Sequence, residues 1–281
     1  MAWKWFSRKI NDKIKVHKKV KLGIAFGGGG AKGIALIGAV KAFEELGIKF
    51  DYVAGTSVGS IVGAALAFGK DSNYMTDVVK SLKMKDIRNS KFIWKPSYAH
   101  NIENLLLKVF ERDLMFSELN IPFTAVCTDI SSGKEACIDY GSVAKAVSGS
   151  CAVPGVFTPV QFGDMSLVDG MLKNNVPADV VRNMGANVVI AIDLHENRGT
   201  GTTSTKLMSL LSSSLGVLIQ TNVEQKLKYA DLIISPELDD FKSTKLDKID
   251  ELILAGYDAV MRQKENIIKL LKVKPKKRKY E

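Results

Sequence analysis

From residue 21 onward the chain alternates strand-like and helical stretches, and glycine-rich turns follow its first two strand-like runs. A third run, 187–194 (Asn-Val-Val-Ile-Ala-Ile-Asp-Leu), is apolar nearly throughout. Together these predict an α/β fold, a three-layer α/β/α sandwich around a largely parallel central sheet. A parallel strand covered by helices on both faces has no polar side, so an unbroken apolar run is its signature.

Residues 21–26 read as the first strand, 27–30 as a tight loop, and 31–46 as a helix with Ile34, Ile37, Ala42 and Leu46 available for burial. Residues 50–54 form a second strand, followed by a turn at 55–59 and a small-residue helix through Phe68. Residues 71–120 are helical and more polar, with a looser patch at 90–100, a candidate lid, where Trp94, Pro96 and Tyr98 sit among polar neighbours. Strand character returns at 122–128 and 135–139, a short helix covers 143–148, and a short strand at 165–168 ends at Asp169. Pro177 opens a helix, its fixed φ and missing N–H being suited to a first turn. Residues 196–205 form a loop, 230–235 a further short apolar run, and 246–271 one long amphipathic helix. With no internal repeat and no second domain, the chain divides into a basic amphipathic segment (1–20), one domain (21–271, its motifs within about 22–185) and a basic tail (272–281).

The composition, 46% hydrophobic and 25% charged over 281 residues, is that of an ordinary globular domain. The net charge of +10 is concentrated at the ends: residues 1–21 carry eight Lys or Arg against Asp12, and 264–281 carry eight against Glu265 and Glu281. Basic ends of this kind suit a polyanionic surface. Trp3, Phe6, Ile10, Ile14 and His17 fall on one helical face with Lys4, Arg8, Lys15 and Lys19 largely opposite. That pattern fits an interfacial membrane anchor and equally a helix packed on its own domain or on a second subunit. Trp3, Trp5 and Phe6 favour an anionic lipid surface as partner over nucleic acid for the basic ends, the run 274–279 included. No run of 18 apolar residues occurs, so a cytoplasmic protein, peripheral on the inner face of the membrane, is expected. Three cysteines, Cys127, Cys137 and Cys151, suit a reducing compartment and are expected to be buried small hydrophobes.

Gly55-Thr56-Ser57-Val58-Gly59 is a G-x-S-x-G placed between a predicted strand and a predicted helix. A serine at such a turn is pushed out of the backbone envelope, and the helix that follows aims its amide N–H groups at the oxyanion formed when Ser57 attacks an ester. The bland alternative for the pentapeptide alone is an ordinary Gly-Ser turn. Gly27-Gly28-Gly29-Gly30-Ala31-Lys32-Gly33 follows the first strand, where successive glycine amides point into one concavity able to hold a negative oxygen. Gly28, Gly30 and Gly33 also spell a dinucleotide fingerprint, but that reading needs a carboxylate at the end of the second strand. Asp51 stands at the wrong end of it. A phosphate-binding Walker loop is disfavoured because Gly33, not Ser or Thr, follows Lys32. No metal or cofactor is expected.

Asp169, followed by Gly170 at the end of a short strand, is the candidate base for Ser57, its carboxylate able to take the serine proton if burial raises its pKa. The order Ser57, Asp169, His195 also matches a hydrolase triad, although no histidine-loop signature surrounds His195. A third reading is a catalytically weak protein that binds membrane surfaces.

These residues resemble the patatin-like phospholipases in their short bacterial, single-domain form, over roughly residues 22–185. Four landmarks appear in order: the glycine loop at 27–33, the elbow at 55–59, the stretch 150–157 (Ser-Cys-Ala-Val-Pro-Gly-Val-Phe) with Pro159, and Asp169-Gly170. The resemblance implies a Ser57–Asp169 dyad without histidine, an oxyanion hole from the amides of Gly28, Gly29 and Gly30, and metal-free hydrolysis of lipid acyl esters. Gly33, Gly55, Gly59 and Gly170 support the motifs. Lys32 stands where the family usually has Arg, and Met171 where it usually has Gly or Ala.

Overall fold

The computed structural model describes residues 17, 19–82, 99–194, 207–241 and 248–273. The expected N-terminal amphipathic helix, most of the looser patch at 90–100, His195, the 196–205 loop and the basic run at 274–279 lie outside the described residues.

The strands are β1 (Leu22–Phe26), β2 (Tyr52–Thr56), β3 (Phe123–Asp129), β4 (Lys134–Ile138), β5 (Val160–Phe162), β6 (Met165–Asp169), β7 (Val188–Ile192) and β8 (Leu232–Ile234). They form one sheet in the order β5-β6-β3-β2-β1-β7-β8, with β4 paired to β3. β3, β2, β1, β7 and β8 run parallel to one another, whereas β4 and β6 are antiparallel to β3. The helices are α1 (Ile34–Glu45), α2 (Val58–Phe68), α3 (Ser72–Ser81), α4 (His100–Phe110), α5 (Val143–Ser150), α6 (Ala178–Asn183), α7 (Leu207–Leu227), α8 (Ile249–Arg262) and α9 (Lys264–Lys272).

Period-two alternation divides the sheet between two cores. Leu22, Ile24, Phe26, Val188, Ile190 and Ile192 face the larger one, shared with α1, α2, α5, α8 and α9. Ala25, Ala54, Val126, Val189 and Ala191 face the smaller one, under α6 and α7. Both sheet faces are thus covered, which is the three-layer α/β/α sandwich the apolar strands predict. Asp51 lies at the amino end of the sheet, accepting from the Leu22 N–H at 2.8 Å and pairing with Lys21, so it is unavailable to a ribose at the other end.

Two expectations are corrected, and one helix is new. The single helix expected over 246–271 is two, α8 and α9, broken at Gln263 with neither Pro nor Gly present. The break lets α8 bury Leu252, Gly256 and Val260 while α9 turns Ile267 and Leu271 into the core. Helix α7 goes unpredicted because its apolar residues fall on all sides among serines, without a 3.6-residue period. Cys127 and Cys151 are buried as expected, but Cys137 is exposed on β4.

Helices α1 and α8 cross at backbone contact: a Cβ on Gly256 would lie 1.7 Å from Ala35 O, and one on Gly38 1.8 Å from Ile253 O. Gly256→Ala is therefore expected to force the helices apart and to cost about 1–3 kcal/mol, read as a lower urea midpoint.

Candidate active site

Strand β2 ends at Thr56 and α2 begins at Val58, so Ser57 alone makes the turn, at φ 55° and ψ −129°. A positive φ on a residue with a Cβ costs of order 1–3 kcal/mol and persists only where neighbours hold it. Three hydrogen bonds do so here. The Ser57 N–H donates to Ser150 Oγ (2.9 Å), and the Ser57 carbonyl accepts from both the N–H (2.8 Å) and the hydroxyl (2.6 Å) of Ser60. Ser150 in turn donates to the carbonyl of Val126 at 2.6 Å, tying the elbow to β3. Side chains at the two motif glycines would break the turn: a Cβ on Gly55 would sit 2.3 Å from Gly59 O, and one on Gly59 2.3 Å from Phe26 O.

Sheet register brings Asp169 to this elbow. β3 pairs with β2 through Thr56↔Val126, and with β6 starting at Cys127↔Asp169. β4 pairs with the opposite edge of β3 from Ala125 to Asp129, spanning the junction, so β2 and β6 share one edge end to end, their carboxyl termini meeting. Ser57 and Asp169, which are far apart in sequence, each follow from that junction. Gly170 packs directly on it, since a Cβ there would lie 2.2 Å from Val126 O and 3.0 Å from Thr56 Cγ2. The 150–157 stretch bridges the pair: Ser150 holds the Ser57 amide, and the Ala152 carbonyl accepts from the Asp169 N–H at 3.0 Å.

Asp169 is fully buried. Its Oδ1 accepts from the Met171 N–H at 2.9 Å, whereas Oδ2 makes no hydrogen bond among the described residues. Burial pushes the carboxyl pKa up to about 7, against the opposing pull of the Met171 amide and of the nearby Ser57 hydroxyl. A carboxylate in that range is half ionised near neutrality and basic enough to accept a proton from a serine.

The glycine loop arrives from β1. Gly27 donates to Ile192 O (3.0 Å) and Gly28 to Asn175 O (3.0 Å). The amide of Gly28 is thereby committed within the protein, against the expectation that it is one of three oxyanion donors. Gly28 still serves the site by lying against Ser57, because a Cβ there would stand 3.1 Å from Ser57 Cβ and 2.5 Å from Asn175 Oδ1. Residues Gly30–Gly33 form a 3₁₀ turn that leads into α1, and Gly33 is pressed against the Val58 side chain at the start of α2.

A family model described as "Patatin-like phospholipase" matches residues 24–182, a span holding Ser57, Asp169 and both glycine turns. The chain belongs to the patatin-like phospholipase family. Among curated relatives, patatin-like phospholipase domain-containing protein 7 of Mus musculus is 26% identical over 272 residues, covering 84% of this chain and 20% of its own length. Neuropathy target esterase sws of Drosophila melanogaster is 27% identical over 272 residues, with 84% and 19% covered. The chain thus spans about a fifth of the length of these relatives. Among solved structures, VipD from Legionella pneumophila shares the fold at a TM-score of 0.64, with 14% identity, 89% of this chain and 68% of that one covered. Human GIVD cytosolic phospholipase A2 does so at 0.52, with 12% identity, 94% and 60% covered.

Two asparagines of this patatin-like chain carry site contacts that sequence reasoning passed over. Asn174 donates its N–H to Gly170 O (2.8 Å) and accepts from the Thr56 hydroxyl (2.7 Å), while Asn175 accepts from Gly28. Their adjacency five residues beyond Asp169 was a visible signal, but nothing local indicated which strands they would join. Among the histidines, His17 accepts from the Lys19 N–H at the start of the described chain.

Proposed function

We propose that this patatin-like domain is a serine acyl hydrolase that cleaves carboxylic esters of lipids, phospholipid, lysophospholipid or acylglycerol, through an acyl-enzyme. The observation that carries the reading is the end-to-end meeting of β2 and β6 on one edge of β3, which sets a strained serine beside a buried carboxyl with a pKa of about 7.

Asp169 takes the Ser57 proton as Oγ attacks the ester carbonyl, forming the Oγ–C bond and placing the carbonyl electron pair on oxygen. The amides of Gly29 and Gly30 and the amino-terminal end of α2 stabilise that oxyanion. Collapse of the intermediate expels the alcohol or lysolipid, which takes its proton from Asp169. Water then gives a proton to Asp169 and attacks the acyl-enzyme, and the fatty acid leaves as Ser57 regains its hydrogen. Mass-spectrometric assay of products from a defined lipid panel, with Ser57→Ala as the blank, tests the substrate class. Release of fatty acid by the native chain alone supports the reading, and equal release by both proteins overturns it.

No helix among the described residues is long and apolar enough to cross a membrane. We assign contact with an anionic membrane surface to the basic ends, residues 1–20 and 272–281. Removal of residues 1–18 is expected to weaken sedimentation with phosphatidylserine-containing vesicles while leaving hydrolysis of a soluble ester nearly intact. Unchanged vesicle binding contradicts that assignment.

A further inference from the structure

A ring of charged groups outside the reacting pair reaches it through Asn174. Lys226, near the end of α7, donates to Asp179 on α6 and to Glu135 Oε2 on β4 at 3.1 Å. The other oxygens of the same two carboxylates accept both hydrogens of the Asn174 amide, Asp179 Oδ1 at 2.8 Å and Glu135 Oε1 at 3.1 Å. Each carboxylate therefore bridges the ammonium to the amide, and the ring closes. Asn174 is fully buried and its Oδ1 makes no hydrogen bond among the described residues, so these two donors alone orient its side chain. An inverted amide would present oxygen to two carboxylates, which the charges forbid.

The ring holds two negative groups at the edge of the core, and only Lys226 offsets them within it. Desolvation opposes the charge on Lys226, but Asp179 and Glu135 outweigh that opposition and hold its pKa above the ordinary value. Without the ammonium, two partly buried carboxylates would face one another across the Asn174 amide. The backbone of this Asn pair meets every part of the site: Asn174 N–H on Gly170 behind Asp169, Asn174 O on Thr56 ahead of Ser57, and Asn175 O on Gly28.

We propose that Lys226, acting with Asp179 and Glu135 through Asn174, is a positioning residue that sets Asp169, Ser57 and the glycine loop relative to one another. The inference rests on the hydrolase reading above. A helix, α7, whose role no motif announces, thereby becomes part of the support of the site.

The test is turnover of a soluble nitrophenyl ester, and the rate of phosphonylation by a fluorophosphonate, per folded molecule of Lys226→Met, Lys226→Arg and Arg182→Met. Arg182 pairs with Asp231 at the amino end of the sheet, away from the site, and is a more deeply buried structural ion pair. Lys226→Met is expected to lower kcat and the phosphonylation rate at least tenfold with KM within about twofold, Lys226→Arg to recover most of the loss, and Arg182→Met to lower only the urea midpoint. If Lys226→Met does not accumulate as folded protein, Lys226→Gln, which keeps a donor, is read in the same way. A Lys226→Met or Lys226→Gln protein with a lowered urea midpoint but native rates overturns the proposal. Activity that survives Ser57→Ala overturns the hydrolase reading beneath it, whereas activity lost in Ser57→Ala but untouched at Lys226 overturns the positioning role alone.

Discussion

Asp169→Asn is expected to lower kcat for ester hydrolysis on the order of 10³-fold or more, the upper part of the range that a positioned general base contributes. The asparagine has nearly the same shape, and its Oδ1 still accepts from the Met171 N–H, so the turn after β6 stays closed. What is lost is the ability to take the Ser57 proton. Native turnover should accordingly rise with pH through about 7 and level off above it, as Asp169 ionises. The same profile in His195→Ala, at near-native rate, is expected if the carboxylate alone serves as base. A His195→Ala loss as deep as that of Asp169→Asn would instead favour a triad.

The same substitution is expected to stabilise the fold at alkaline pH. Burial raises the Asp169 pKa from 3.8 to about 7, so the folded state binds the proton more tightly than the unfolded chain does. That contribution to stability is fully present below pH ~4 and is lost as pH rises toward 7. A shift of this size corresponds to about 4 kcal/mol at most, at 1.36 kcal/mol for each pH unit. The substituted amide does not ionise, so the gain in urea midpoint of Asp169→Asn over the native chain should grow from near zero at pH 4 to its full size by pH 8. A gain that is absent at pH 8, or larger at pH 4, contradicts the burial account. An enzyme that loses activity and gains stability by one atom exchange carries a site held against its own folding preference.

Most of the scaffold was legible because its causes are local. Unbroken apolar runs mark strands covered on both faces, and β1, β2, β3 and β7 fall where such runs occur. The elbow was legible because Gly55 and Gly59 are required by backbone approach within four residues and to the neighbouring β1. What escaped was set by packing between distant segments. α7 has no periodic face to betray it, and its Lys226 meets partners 91 and 47 residues away. The fate of the Gly28 amide depended on Asn175, 147 residues on, which no pattern in the loop itself reveals. Cys137 is exposed because it alternates with the buried Ala136 and Ile138 along β4, an edge strand whose place only strand order determines.

Methyl γ-linolenyl fluorophosphonate joins a lipid chain to a group that phosphonylates an activated serine. Tandem mass spectrometry of the present chain after exposure to that compound, on native protein and on Asp169→Asn at pH 8, reads both reacting groups at once. A single phosphonyl adduct on Ser57 in the native chain, with almost none in Asp169→Asn, is the outcome that the geometry requires. Labelling at a different serine, or equal labelling of Ser57 in both proteins, would contradict it.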